Sequence, residues 1–286
     1  MFLQCGKFRL DLARPVIMGV INVTPDSFSD GGLYVRADAA IARGRALIEE
    51  GADILDIGGE STRPGAQPVG LDEERRRVLP VIEALASCGR PLSIDTRKPE
   101  LMHDAVAAGA SMVNDIGALE SPHALEVLAP TSAAVCLMHK QGDPQTMQQD
   151  PRYEDVVSEV RDYLAARIAA AERAGIAPGR IVIDPGFGFG KTQEHNIALL
   201  RNLPALTALG APVLAGLSRK AMLGKITGKP PHERVHASVA AALFAADRGA
   251  RILRVHDVTA TRDALAVWAT LAATIGVYSQ DRAPLQ

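Results

Sequence analysis

Apolar residues in this chain come in short unbroken runs. Each run is followed by a longer stretch in which apolar positions recur every third or fourth residue. The runs predict strands at 16–22, 53–58, 91–95, 111–116, 133–138, 181–185, 212–217 and 252–256. Runs such as Ile181-Val182-Ile183 do not alternate with polar residues, which suits strands covered on both faces of a parallel sheet. The stretches between them predict helices at 36–50, 72–87, 99–108, 121–129, 154–174, 193–203, 233–248 and 258–274. Val156, Val160, Leu164 and Ile168 form one apolar stripe, the signature of a helix with a buried face. Pro99 stands at a first-turn position and Gly109 just past the end, the usual asymmetry of helix termini.

Eight strand–helix pairs predict an α/β protein, a closed (β/α)8 TIM barrel forming a single domain over residues 1–286. The first fourteen residues are expected to form a short N-terminal hairpin covering the bottom of the barrel. An open doubly wound sheet is the alternative, but such sheets need fewer units than eight.

Composition narrows the partners. With 31 basic and 33 acidic residues the formal net charge is −2, which argues against nucleic acid. The segment 73–77, Glu-Glu-Arg-Arg-Arg, reads as a solvated helix face. Cys5, Cys88 and Cys136 have no metal-like spacing and read as thiols in a reducing compartment. No secretory pattern and no apolar run of about 18 residues is seen. The expectation is a soluble cytoplasmic protein without a membrane partner.

A barrel delivers its chemistry at the C-terminal ends of its strands. Those ends carry Asn22, Asp56, Asp95, Asn114 with Asp115, Met138 to Lys140, Asp184, Ser218 to Lys220, and Arg254 to Asp257. For Thr96, Asp115 and Asp257 a capping role and a site role both stand open. Capping does not account for Lys220, Arg254, His256, Arg63 and Asn22 on one rim. Lysine, arginine and histidine are poor caps, and several cation-capable groups on one face imply an anionic ligand. Gly58-Gly59 and the loop 186–190, Gly-Phe-Gly-Phe-Gly, allow backbone to approach a ligand. Neither follows a dinucleotide or Walker spacing.

Taken together, GVINVTPDSFSDGG, DILDIGGESTRPG, SIDTRKP, DPGFGFGKTQEHN, LSRKAMLG and RVHDVTATRDAL, in that order over nearly the whole chain, resemble the dihydropteroate synthase family. One departure is Lys140, where many relatives carry an apolar residue. The resemblance implies an enzyme of folate biosynthesis on a TIM barrel. It implies a transferase joining 6-hydroxymethyl-7,8-dihydropterin diphosphate to 4-aminobenzoate with release of diphosphate. It also implies Mg2+, held by Asn22, and a homodimer, for which the last helices are the expected interface.

Under that resemblance the residues take roles that their chemistry supports. Asp184 accepts from the pterin N3–H and 2-amino group as a two-pronged pair. Asn114 serves other ring nitrogens, and Lys220 donates to the 4-oxo and N5 side. Met138 and Phe189 supply apolar surface to a flat ring. Arg254 and His256, two apart on a strand and so on one side, meet the diphosphate with Asn22 and Arg63. Asp95 stabilises positive charge on the pterin methylene in a dissociative reaction. Phe28, Thr62, Arg63, Pro64 and Ser218 contact aminobenzoate, the loops 23–33 and 60–69 acting as lids. Asp56 is expected to hold the second loop. The rival readings are a methyltetrahydrofolate-binding methyltransferase, which has no use for the cationic strand end at 254–256 or the loop 61–65, and a non-catalytic pterin-binding protein, which would not need Arg254 and His256 together with Asn22.

Overall fold

A period of two inside each apolar run organises the fold. The computed structural model describes residues 1–24, 33–61, 67–143 and 146–278. Strands β1 (Phe2–Cys5) and β2 (Phe8–Asp11) form an antiparallel pair, with Cys5 opposite Phe8. The barrel strands are β3 (Val16–Asn22), β4 (Ile54–Gly58), β5 (Leu92–Asp95), β6 (Met112–Asp115), β7 (Ala134–Met138), β8 (Ile181–Asp184), β9 (Val213–Ala215) and β10 (Ala250–Val255). They run parallel in chain order and close through β10 on β3.

Both faces of each strand are buried, but in different places. Ile17, Ile21, Leu55, Ile57, Ile94, Val113, Val135, Leu137, Ile183 and Leu253 pack outward against the helices. Their neighbours Val16, Met18, Ile54, Met112, Cys136, Val182, Leu214 and Ile252 fill the barrel interior. Leu3, Cys5 and Leu12 join that interior cluster, so the N-terminal hairpin plugs the bottom, as expected.

The same inward parity continues to the top of each strand. It turns Asn22, Asp56, Ser93, Asp95, Asn114, Met138, Asp184, Arg254 and His256 toward one mouth. The apolar layers below exclude water there, so ionisable groups in the upper layer feel each other strongly.

The helices are α1 (Leu33–Glu50), α2 (Leu71–Leu85), α3 (Pro99–Ala108), α4 (Ala124–Leu128), α5 (Val156–Arg173), α6 (Gln193–Arg201), α7 (Pro204–Thr207), α8 (Ala221–Thr227), α9 (Val235–Asp247) and α10 (Val258–Tyr278). Asp155 caps α5 by accepting from Val157 and Ser158 N–H, and Thr192 with His195 forms a capping box on α6. The sequence pattern does not predict α8. It is short and contains Gly224, where a Cβ would lie 2.1 Å from Arg234 Nη2; the glycine admits that guanidinium.

The basic–acidic run on α2 is only partly a solvated face. Arg76 is exposed, but Glu74 is fully buried and meets Lys98, while Arg77 donates to Gly59 O at 2.9 Å. These two side chains lie on the helix side facing the strand ends. No helix among the described residues is long and apolar enough to cross a membrane.

Candidate active site

Inside the mouth, one guanidinium joins two carboxylates. Arg254 Nε donates to Asp56 Oδ2 at 2.6 Å and Nη2 to Asp95 Oδ2 at 2.8 Å. Asn114 Nδ2 also donates to Asp56 Oδ2, at 3.3 Å. Asp56 Oδ1 and Ser93 Oγ, on residues paired across β4 and β5, are buried without a hydrogen-bond partner among the described residues. The cluster therefore holds more negative than positive charge. Burial pushes the Asp95 carboxyl up to about 7, with Asp56 adding to the rise and Arg254 working against it. Burial also works against the charge of Arg254, but the two carboxylates outweigh it and hold its pKa above the ordinary value.

Asp56 thus differs from the sequence expectation. It does not hold the second loop; it is fully buried inside the barrel under Arg254 and Asn114. Its parity with Ile54 requires this, because Leu55 and Ile57 take the outward positions.

Asp184 ends β8 opposite Met138 of β7. Its Oδ1 accepts from Gly186 N–H at 2.7 Å, which fixes the carboxylate's direction. Burial raises its pKa, opposed by that N–H and by Lys220 and Arg254. Lys220 Nζ stands 4.2 Å from the centre of the Phe189 ring, a cation–π contact beside Asp184. Asp95, Asn114, Met138, Asp184, Phe189, Lys220 and Arg254 are brought together around one opening, with Asn22 at the end of β3 paired to Gly58.

At the other side of the mouth, Ser218 Oγ lies 3.0 Å from His256 Nδ1 and accepts from His256 N–H at 3.2 Å. Arg219, between Ser218 and Lys220, adopts φ 59°. It is held by two bonds from its guanidinium to Asp257, at 3.1 and 2.6 Å. Asp257 is therefore a clamp more than a cap. Asp115 braces the turn after β6: its carboxylate accepts from Gly117 and Leu119 N–H at 2.7 and 2.8 Å, while α4 starts only at Ala124. Thr96 Oγ1 accepts from Lys98 N–H at 3.3 Å at the start of α3. Lys140 is half-buried and donates to Gly142 O at 3.2 Å.

Phe28, Thr62, Arg63 and Pro64, and most of the two loops read as lids, lie outside the described residues. The sequence reading also passed over Lys191 and His139. Lys191 Nζ is buried 2.9 Å from His139 Nδ1. Burial lowers its pKa to about 7, and burial followed by the nearby Lys191 lowers that of His139 to about 3. The signal was present in the quoted DPGFGFGK, as a lysine closing a glycine loop.

The comparisons with known proteins agree with this geometry. The family profile described as "Pterin binding enzyme" matches residues 18–256. The dihydropteroate synthase of Neisseria meningitidis serogroup B is 54% identical over 275 residues, covering 94% of this chain and 96% of that one. A Xanthomonas albilineans dihydropteroate synthase solved with 4-aminobenzoic acid is 56% identical with a TM-score of 0.90, covering 95% of this chain and 98% of that one. The same enzyme's complex with 7,8-dihydropteroate aligns at 51% identity and a TM-score of 0.85, with the same coverage of 95% and 98%. The chain belongs to the dihydropteroate synthase family of pterin-binding enzymes.

Proposed function

We propose that the barrel mouth condenses 6-hydroxymethyl-7,8-dihydropterin diphosphate with 4-aminobenzoate, giving 7,8-dihydropteroate and diphosphate, and that one domain spanning 1–286 carries the reaction. The observation that supports this most is the charge of the upper barrel layer: two carboxylates, the buried Asp56 and the half-buried Asp95, share the single guanidinium of Arg254. A pocket with surplus negative charge in a dry setting favours a ring that becomes cationic.

In this reading Asp184 takes the pterin N3–H and 2-amino group, its aim set by Gly186 N–H. Asn114, donating to Asp56 through Nδ2, offers its amide oxygen to the ring. Phe189 and Met138 sandwich the ring's faces, and Lys220 donates to the 4-oxo and N5 side. The methylene C–O bond breaks first, and diphosphate leaves with the bonding pair. Asp95 sits beside the resulting carbocation and stabilises it. The aminobenzoate nitrogen then attacks the methylene and loses a proton. Arg254 and His256 face the departing anion, with Ser218 fixing the His256 ring. Phe28, Thr62, Arg63, Pro64 and Ser218 remain the aminobenzoate contacts on the strength of the resemblance.

A divalent cation fits the rim only as a partner of the diphosphate. Among the described residues no group of three or more His, Cys, Asp or Glu side chains could hold a metal, whereas Asn22 offers one hard amide oxygen. That donor set suits Mg2+, which takes few protein ligands and keeps phosphate and water oxygens. When bound it would neutralise leaving-group charge.

The homodimer and the cytoplasmic location belong to the same proposal. Phe244 on α9 and Val267 and Leu271 on α10 are exposed large apolar residues, which supports the last helices as the interface. Cys5 and Cys136 are buried free thiols, as a reducing compartment permits. The test is direct: mix pure protein with both substrates and Mg2+ and measure diphosphate and dihydropteroate. A methyltransferase or a non-catalytic binder releases neither.

A further inference from the structure

Lys191 is 3% exposed, and its hydrogen bonds go to neutral acceptors only. They run to His139 Nδ1 at 2.9 Å and to the carbonyls of Gly186 at 3.0 Å, Phe189 at 3.0 Å and His139 at 3.3 Å. Burying a lysine without a bonded counter-charge is costly in either protonation state, so its placement here needs a reason. The acceptors supply one. Two belong to the loop after β8 and two to the residue after β7, so one nitrogen pins the loop to the neighbouring strand end.

Close backbone approach points the same way. A Cβ on Gly186 would lie 1.9 Å from His139 O, and one on Gly190 would lie 2.3 Å from Gln141 O. Both glycines have positive φ, 67° and 62°, so the loop needs their freedom and their lack of a side chain. Asn196 Oδ1 accepts from Gly188 N–H at 2.7 Å and Tyr153 Oη donates to Gly190 O at 2.8 Å. These bonds hold Gly188 and Gly190; Lys191 holds Gly186 and Phe189. The latter two supply the Phe189 ring, which meets Lys220, and the Gly186 N–H that aims Asp184. Met138 immediately precedes His139.

We propose that Lys191, paired with His139, is a positioning residue for the pterin ring: its amino nitrogen, bonded to both strand ends, fixes the 186–190 loop in the shape that sets Phe189 and directs Asp184, without touching substrate. His139, kept neutral by its burial beside Lys191, can accept at Nδ1 throughout the physiological range. The proposal rests on the reading of Asp184 and Phe189 as the pterin pocket.

The test is steady-state kinetics of Lys191→Met with each substrate varied in turn. The pterin diphosphate KM is expected to rise at least about tenfold, the size of one charge-assisted hydrogen bond between the ring and an Asp184 no longer correctly aimed. The aminobenzoate KM and kcat should stay within about threefold, since the aminobenzoate contacts are untouched and the pterin contact is lost equally from ground and transition states. His139→Leu should behave like Lys191→Met. His139→Asn, whose amide oxygen replaces Nδ1 as acceptor, should recover most of the His139→Leu loss. The double variant K191M/H139L should lose no more than either single one.

A folded Lys191→Met with unchanged pterin KM, or with equal rises in both KM values, overturns the role. If that variant does not fold, Asn at 139 doing no better than Leu overturns it. Asp184→Asn, run in parallel, separates the two readings. Unchanged pterin KM in Asp184→Asn strikes the pocket assignment. A large rise there with none in Lys191→Met strikes only Lys191.

Discussion

Arg254 Nε and Asp56 Oδ2 meet at 2.6 Å across 198 positions of sequence, joining β10 to β4 over the intervening β3. The bond fixes Arg254 within the barrel wall and not only at its lip, and this separates it from its neighbour His256. Arg254→Ala leaves the buried Asp56 and the half-buried Asp95 without their cation, a loss of about 3–5 kcal/mol where a buried pair is broken. His256→Ala removes a partly exposed imidazole that meets Ser218 Oγ at 3.0 Å and strands no buried charge among the described residues. Chemical denaturation should therefore find Arg254→Ala strongly destabilised and His256→Ala nearly as stable as the wild type. Asp56→Asn added to Arg254→Ala should restore part of the loss, because it removes one stranded charge.

His256 then gives the cleaner view of the anion site. His256→Ala should weaken the diphosphate-bearing pterin much more than the bare hydroxymethyl pterin, because only the former presents charge to the imidazole. Calorimetry with the two ligands checks this. Equal losses for both would assign His256 to the barrel's support.

Asp95 links rate, pH and stability. Its carboxyl is raised from 3.8 to about 7 by burial, then by Asp56, against the pull of Arg254. Only the ionised form can stabilise a carbocation, so kcat/KM for the pterin diphosphate should fall as pH drops through about 7. Asp95→Asn should lower kcat and abolish that limb. Stability runs the other way. Between about 4 and 7 the folded chain binds the proton that the unfolded chain has released, so stability declines as pH rises, and the full penalty persists above 7. Asp95→Asn should thus melt higher than wild type near pH 8 and show no such gain near pH 4. A pH–rate profile and a melting series on the two proteins decide both points.

Asp184→Asn keeps shape and the acceptor for Gly186 N–H while removing charge. The pterin loses a charge-assisted pair of about 1.5–3 kcal/mol. Pterin affinity should fall at least tenfold with the circular dichroism spectrum unchanged, and unchanged affinity by calorimetry would remove Asp184 from the pocket.

Much of this was readable before the fold. Unbroken runs such as Ile181–Ile183 gave the parallel strands, because each is covered on both faces, and Asn114, Asp184 and Lys220 fell on strand ends where a barrel keeps its chemistry. Asp56 was misread because a carboxylate beside a loop suggests support for that loop. Only the parity of Ile54 and Asp56 against Leu55 and Ile57 puts it inside. Lys191 with His139, and Arg219 with Asp257, were missed for another reason: their partners lie 52 and 38 residues away, and no local pattern encodes such a pairing. Helix α8 escaped because Gly224 argues against a helix until Arg234 is seen lying on it.

Arg219 offers the most specific backbone test. It is a non-glycine residue at φ 59°, where an L side chain costs about 1–2 kcal/mol. The surroundings enforce that conformation. Its N–H donates to Ser238 Oγ at 2.9 Å, its carbonyl accepts from Arg234 Nη1 at 3.0 Å, and its guanidinium clasps Asp257. The turn sends Ser218 toward His256 and Lys220 toward Phe189. Arg219→Ala loses the Asp257 clasp and keeps the strain. Arg219→Gly loses the clasp but releases the strain, against an added backbone entropy cost of about 0.5–1 kcal/mol for glycine. The strain is the larger quantity, so Arg219→Gly should be more stable than Arg219→Ala by up to about 1 kcal/mol in urea unfolding, with both below wild type. Asp257→Asn should resemble Arg219→Ala. All three should raise the pterin diphosphate KM, because Lys220 is no longer held over Phe189. If glycine proves the less stable of the two substitutions, Arg219 does not carry strain in solution, and the aim of Ser218 and Lys220 must come from Arg234 and Ser238 alone.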